Sequence, residues 1–147
     1  MALTVTAVAG AAIRGALTAL DAHIRDPAWF CGTSADLAIP PAEALEHRAA
    51  AGEKVLVVRD GGTRVGLAVV RPSDGRLRWV LCRPAYYADV LTALGEHIAA
   101  AWGVNGWAWN EGDNERTRAL RAHPRLKITD EKSTEDGTLL IRAEWAG

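Results

Sequence analysis

Cys82-Arg83-Pro84-Ala85-Tyr86-Tyr87-Ala88-Asp89-Val90-Leu91-Thr92-Ala93-Leu94 is the stretch that decides the fold. Before it, residues 76–82 read as an apolar strand. Within and after it, Val90, Leu91, Leu94, Ile98 and Trp102 recur at helical spacing along residues 86–102, and Gly103 closes the pattern. The next strand pattern is residues 104–110. A strand, a long helix and a second strand in that order form a parallel pair, with the helix crossing one face of the sheet. The junction is also where an anion could meet a helix N-terminus. Such a site needs available backbone N–H groups and a chain thin enough to approach, which glycine normally provides. This junction has no glycine.

Upstream, residues 55–58 and 63–70 are apolar strands joined by Asp60-Gly61-Gly62, a hairpin signal, and Pro72-Ser73-Asp74-Gly75 turns the chain into the strand at 76–82. Near the start, Leu3, Val5 and Ala7 alternate with threonines as a short strand. Ile13, Leu17, Leu20 and Ile24 then predict a helix that Pro27 stops. Trp29, Phe30 and Cys31 read as loop, and Pro40-Pro41 opens a second helix with Ala44, Leu45 and Ala49 on its apolar face. Downstream, Trp107 and Trp109 share one side of their strand. Asp113 or Asn114 can cap a helix ending at Ala122, and residues 126–134 and 138–145 form a last hairpin around Glu135-Asp136-Gly137.

The order β-α-α-β-β-β-α-β-α-β-β predicts an α/β chain of the α+β type. One mixed, mostly antiparallel sheet has helices on its faces, in a single domain over residues 1–147. Val55, Val57, Leu67, Val69, Leu81, Leu94, Ile98 and Leu120 are the expected core.

A chain of 147 residues, 49% apolar, suits one core. A net charge of -1 offers no broad basic footprint for nucleic acid, and no apolar run approaches the roughly 20 residues of a membrane helix. Residues 1–15 lack the pattern of a signal peptide. Cys31 and Cys82 have no metal-ligand spacing and read as buried, reduced thiols of a protein made in a cytoplasm. No metal site is expected.

The element order over nearly the whole chain resembles the GNAT superfamily of N-acetyltransferases. Locally, residues 114–126 resemble that family's C-terminal pattern, in which an Asn opens a helix, a Leu-Tyr pair lies near its end and a Gly-Phe pair starts the next strand. Asn114, Leu120 and Leu126 fit; Arg121 stands where the Tyr would be and Arg125 where the Gly would be. The resemblance implies acetyl-CoA entering a gap between two splayed parallel strands. Its pyrophosphate would lie on the long helix, and its pantetheine arm would pair with the strand at 76–82. The residues carried over for cofactor binding are Leu81, Cys82, Arg83, Ala88, Val90 and Asn114. Tyr86, Tyr87 and Asp89 run through the family's phosphate loop, and their bulk and charge predict weak cofactor binding or none.

The family's proton donor is commonly the Tyr replaced by Arg121, and a guanidinium does not give up its proton. Glu111, Asp113, His97 and His123 are base candidates, each with an ordinary structural role available as well; no catalytic residue is assigned. The segment Trp107-Ala108-Trp109, Asn114, Arg118-Ala119-Leu120 and the closing hairpin also resemble the acetyltransferase-like internal virion protein family of short-tailed phages, which lacks the glycine loop. The expectation at this point is a non-enzymatic GNAT-fold protein that works through contacts with other protein subunits. These include virion components or a second copy, with Trp107, Trp109, Arg116 and Arg118 as contact residues. The alternative is a divergent acetyl-CoA-dependent N-acyltransferase.

Overall fold

The computed structural model describes residues 2–8, 12, 15–16, 30–31 and 52–147. Its strands are β1 (Leu3–Val8), β2 (Phe30–Cys31), β3 (Lys54–Asp60), β4 (Thr63–Arg71), β5 (Arg76–Cys82), β6 (Trp107–Glu111), β7 (Leu126–Ser133) and β8 (Leu139–Trp145). A 3-10 turn, Pro84–Tyr86, leads into α1 (Tyr87–Trp102), and α2 (Glu115–Ala122) joins β6 to β7. All eight strands belong to one sheet, ordered β1-β3-β4-β5-β6-β8-β7 with β2 attached to β5. Every pairing is antiparallel except β5 with β6, so the architecture is the mixed α+β one that the element order predicts. The helix expected near Ile13–Ile24 lies mostly outside the described residues, although Gly15 and Ala16 are helical; the helix after Pro41 lies wholly outside them. Phe30 and Cys31, expected as loop, are a strand: they pair with Leu81 and Val80.

The turns are set by residues that tolerate their geometry. Gly75 has φ 81°, and a Cβ there would stand 2.4 Å from the Asn105 carbonyl oxygen, so only glycine lets the β4–β5 turn lie against the chain entering β6. Asn114 caps α2 by accepting a hydrogen bond from the Thr117 N–H at 3.1 Å, which fixes where that helix starts.

Strand alternation sends Leu56, Val58, Ala68, Val70, Leu77 and Val80 to one face, where they meet Val90, Leu91, Leu94 and Ile98 of α1 and Leu120 of α2. The opposite phase, Val55, Val57, Leu67, Val69 and Leu81, is equally buried, so the sheet is covered on both faces through β3, β4 and β5. All eight expected core residues are no more than 4% exposed. The exposed positions of α1 are Ala88, Glu96, Ala100 and Ala101. Its outward face is therefore alanine with one carboxylate, while Val90, Leu91, Leu94 and Ile98 are inside.

Candidate functional site

Where β5 and β6 run side by side, Arg76 opposite Trp107 is the one register pair between them among the described residues. The Trp107 N–H donates to the Gly75 carbonyl at 3.0 Å, and beyond that contact the two strands separate. The result is a cleft inside the sheet, closed at Arg76–Trp107 and widening toward the start of α1. Its walls follow from ladder phase. Because the Arg83 N–H donates to Val65 O at 3.1 Å, toward β4, alternation turns the peptide groups of Cys82 and Val80 the other way, into the cleft. On the facing wall, the Trp107 contact turns the peptide groups of Trp109 and Glu111 inward by the same rule. β2 lies on the β5 wall, opposite Val80 and Leu81. Beneath the closed end is an apolar cavity of about 30 Å³, lined by Leu77, Val80, Leu91, Asn110 and Trp145 among others, which has room for a water molecule and little more.

The start of α1 differs from the sequence expectation in one decisive respect. Of the bulky residues running through the expected phosphate loop, Tyr87 is buried at 6% exposure; Val90, carried over as a cofactor residue, is buried at 0% and packs against Gly66 on β4. Their bulk goes into the core. Ala85 and Ala88 are the exposed side chains there, with Asp89 half-buried. No side chain caps the helix N-terminus at Tyr86. Tyr86 itself is held aside: its hydroxyl donates to Asp60 Oδ2 at 2.8 Å, and that hydrogen bond raises its pKa above the ordinary value. The only acidic residue of the first turn is Asp89.

Of the cofactor residues expected from sequence, Cys82, Arg83, Ala88 and Val90 meet at this junction. Arg83 and Ala88 are exposed, while Cys82 is buried with its peptide turned toward the cleft. Leu81 turns its peptide toward β4, and Val80, whose peptide turns toward the cleft, is paired there with Cys31 of β2. Asn114 stands apart, at the far end of β6, with its Oδ1 on the Thr117 N–H and its Nδ2 donating to the Glu111 carbonyl at 3.4 Å. Behind it Asn110, 2% exposed, donates to Thr117 Oγ1 at 2.9 Å, and Thr117 donates in turn to Gly112 O at 2.5 Å.

The base candidates separate cleanly. His123 is 7% exposed, its Nδ1 accepts the Arg125 N–H at 3.1 Å, and its Nε2 lies 2.9 Å from Thr92 Oγ1 and 3.3 Å from Ala88 O. The accepting Nδ1 puts the proton on Nε2, so both nitrogens are occupied: Nδ1 holds the turn after α2, and Nε2 ties the end of α2 to α1. His97 meets the Trp102 ring edge-on at 5.6 Å and faces a groove of about 490 Å³ shared with β1, which three strands separate from β6. Asp113 is exposed in the loop after β6. Glu111 alone stands on a cleft strand. Arg121 is paired with Glu131, a hydrogen bond that raises its pKa further, so it cannot replace a tyrosine as proton donor.

No protein-family model and no curated protein matches this sequence. Solved structures do. A GNAT-family protein of Desulfovibrio desulfuricans superposes with a TM-score of 0.66 at 14% identity, over 99% of this chain and 100% of that one. The aminoglycoside acetyltransferase AAC(6')-Ib, bound to ribostamycin and coenzyme A, gives 0.66 at 13%, over 99% and 94%. The ribosomal-protein-S18-alanine N-acetyltransferase of Escherichia coli gives 0.62 at 16%, over 98% and 93%. At these identities the likeness is one of fold, and the fold is that of GNAT acetyltransferases. It overturns the expectation of a non-enzymatic protein acting through protein contacts: full-length fold neighbours are acetyltransferases, some with coenzyme A bound, and the missing glycines do not fill the place where an anion would lie.

Proposed function

We propose that this chain is an acetyl-CoA-dependent N-acetyltransferase. The observation that carries the reading is the single Arg76–Trp107 register pair, which opens a cleft between parallel strands directly below the N-terminus of α1. Exposed Ala85 and Ala88 leave that N-terminus approachable, Arg83 adds positive charge beside it, and the inward turn of Tyr87 and Val90 removes the steric objection. Acetyl-CoA, when bound, supplies an acetyl group activated as a thioester. The first-turn amides of α1, with Arg83, would hold its anionic part. The cleft-facing peptide of Cys82 is the first that an arm entering from α1 would meet, with β2 beyond it on Leu81 and Val80.

An amine is nucleophilic only without its proton, so the reaction needs an acceptor for that proton. Glu111 suits this role best, being the carboxylate at the open end of the cleft on β6. Trp107 and Trp109 share its face of the strand.

Titration calorimetry with acetyl-CoA tests the reading. The expected dissociation constant is in the low micromolar range, about -8 kcal/mol. Ala88→Glu, which adds a negative charge at an exposed first-turn position, should weaken binding by about tenfold or more. Absence of binding by the unaltered protein, or equal binding by the Ala88→Glu variant, would overturn it.

A further inference from the structure

The face of β6 and β8 turned away from α1 and α2 carries a cluster that binding and deprotonation, as described, leave unused. The guanidinium carbon of Arg142 on β8 lies 4.0 Å from the centroid of the Trp107 ring, and that of Arg76 on β5 lies 5.6 Å from the same ring. Two cations thus approach one indole from the strands on either side of it. The ring is itself fixed, because its Nε1–H donates to the Asp74 carbonyl at 3.1 Å. Arg142 is held but not satisfied. Among the described residues its buried Nε has no hydrogen-bond partner, and the carboxylate paired with its guanidinium, that of Glu144, stands 3.9 Å away, beyond hydrogen-bonding distance. Its side chain keeps 34% exposure.

The guanidinium groups of Arg142 and Arg76 beside one ring draw an anion by their combined charge, and the exposed part of the Arg142 fork can reach it. A planar guanidinium stacked on an aromatic ring is also oriented for two-point bonding to a carboxylate or phosphate. The position is informative too. Arg76 opposite Trp107 is where the cleft closes, while Glu111 lies at its open end on the same face, four residues further along β6, roughly 13 Å at strand spacing. Lys132, 4.5 Å from the Trp109 ring, borders the path between them.

We propose that Arg142, assisted by Arg76, holds an anionic group of the amine acceptor. The acceptor is then a small amine with a carboxylate or phosphate set several bonds from its nitrogen, oriented along β6 with its ammonium toward Glu111. This rests on the acetyltransferase reading above, which by itself leaves the acceptor open.

Two measurements on the full chain keep the two claims apart. The first follows the tryptophan indole N–H resonances by NMR while inorganic phosphate, and separately acetate, is added at constant ionic strength with chloride as control. Saturable movement of the Trp107 signal, assigned by its loss in Trp107→Phe, is expected. Arg142→Gln should weaken it by about tenfold or more, and Arg142→Lys, which keeps charge without the planar fork, by less. No saturable movement, or movement indifferent to Arg142→Gln in a variant with unchanged remaining resonances, overturns the proposal. The second compares acetyl transfer to triglycine and to triglycine amide, which differ only in the terminal carboxylate. A KM lower for triglycine by about tenfold, lost in Arg142→Gln, supports the assignment. Turnover without preference overturns the anion anchor and leaves the acetyltransferase standing. Anion binding without turnover of either peptide removes the acceptor role, and with it the proposal.

Discussion

The indole of Trp145 lies against the backbone of Gly95: a Cβ on that helix residue would stand 2.3 Å from Cδ2 and Cε3 of the ring. Trp145 is 4% exposed, at the end of the last strand, and Gly95 is in the middle of α1. The absence of a side chain lets the C-terminal hairpin close under the crossover helix. Helix propensity alone would make Gly95→Ala stabilising by up to about 1 kcal/mol. Here the ring must move, and overpacking of this kind costs about 1–3 kcal/mol. A net loss of stability is expected in urea unfolding; a gain would show that Trp145 has room to shift.

Thr117 stands at the centre of a buried polar knot, taking a hydrogen bond from Asn110 and giving one to Gly112. Thr117→Val keeps the shape and removes the acceptor of the Asn110 amide hydrogen bond, which should cost about 1 kcal/mol or more. Replacing both partners, Asn110→Leu with Thr117→Val, should cost less than the sum of the single changes. Additive losses in the unfolding free energies would mean that the two side chains are not coupled.

Acid should weaken the fold in part through Asp74. A hydrogen bond from Arg71, together with one from the Arg76 N–H, holds its carboxyl at about 2, below the ordinary 3.8. A folded-state pKa below the unfolded one contributes stability that is fully present above about pH 4 and lost as pH falls toward 2. The carboxyl is 38% exposed, so solvent screening keeps the effect modest. The urea midpoint of the unaltered protein should therefore decline more steeply between pH 4 and 2 than that of Asp74→Asn; parallel curves would contradict this.

Glu111→Gln tests the proton acceptor. It should lower kcat by about a hundredfold or more and leave acetyl-CoA affinity unchanged, since the residue lies on β6 and not at α1. The pH profile should respond as well: with the carboxylate gone, activity should rise with pH as the acceptor amine loses its proton to solvent. An unaltered kcat would remove Glu111 from the reaction.

Much of the fold was legible because its signals are local. Asp60-Gly61-Gly62 and Gly75 mark turns that force antiparallel neighbours, Asn114 marks a helix start, and the period of Val90, Leu91, Leu94 and Ile98 gives the buried face of α1. The site was less legible because it depends on direction. Tyr86 and Tyr87 are adjacent in sequence, yet about 100° apart around a helical turn. One therefore reaches out to Asp60 while the other enters the core, and a reading that counts only their bulk puts both in the way. The separation of β5 from β6 and the stacking of Arg142 on Trp107 are long-range relations between strands, with no local trace in the chain.

Splitting a sheet down its middle creates two new edges, each a row of peptide groups able to recruit a strand from another molecule. The outer edge at β7 is guarded by charge, with Lys127, Asp130, Glu131 and Lys132 along it. The inner edge of β5 ends in the apolar run Val80, Leu81 and Cys82, with Arg76 and Arg78 nearer its start. Phe30 and Cys31 cover it from within the same chain. The two-residue strand that passed for loop in the sequence thus acts as protection against self-association, and substitution of proline at Cys31 should raise the tendency of the folded protein to aggregate.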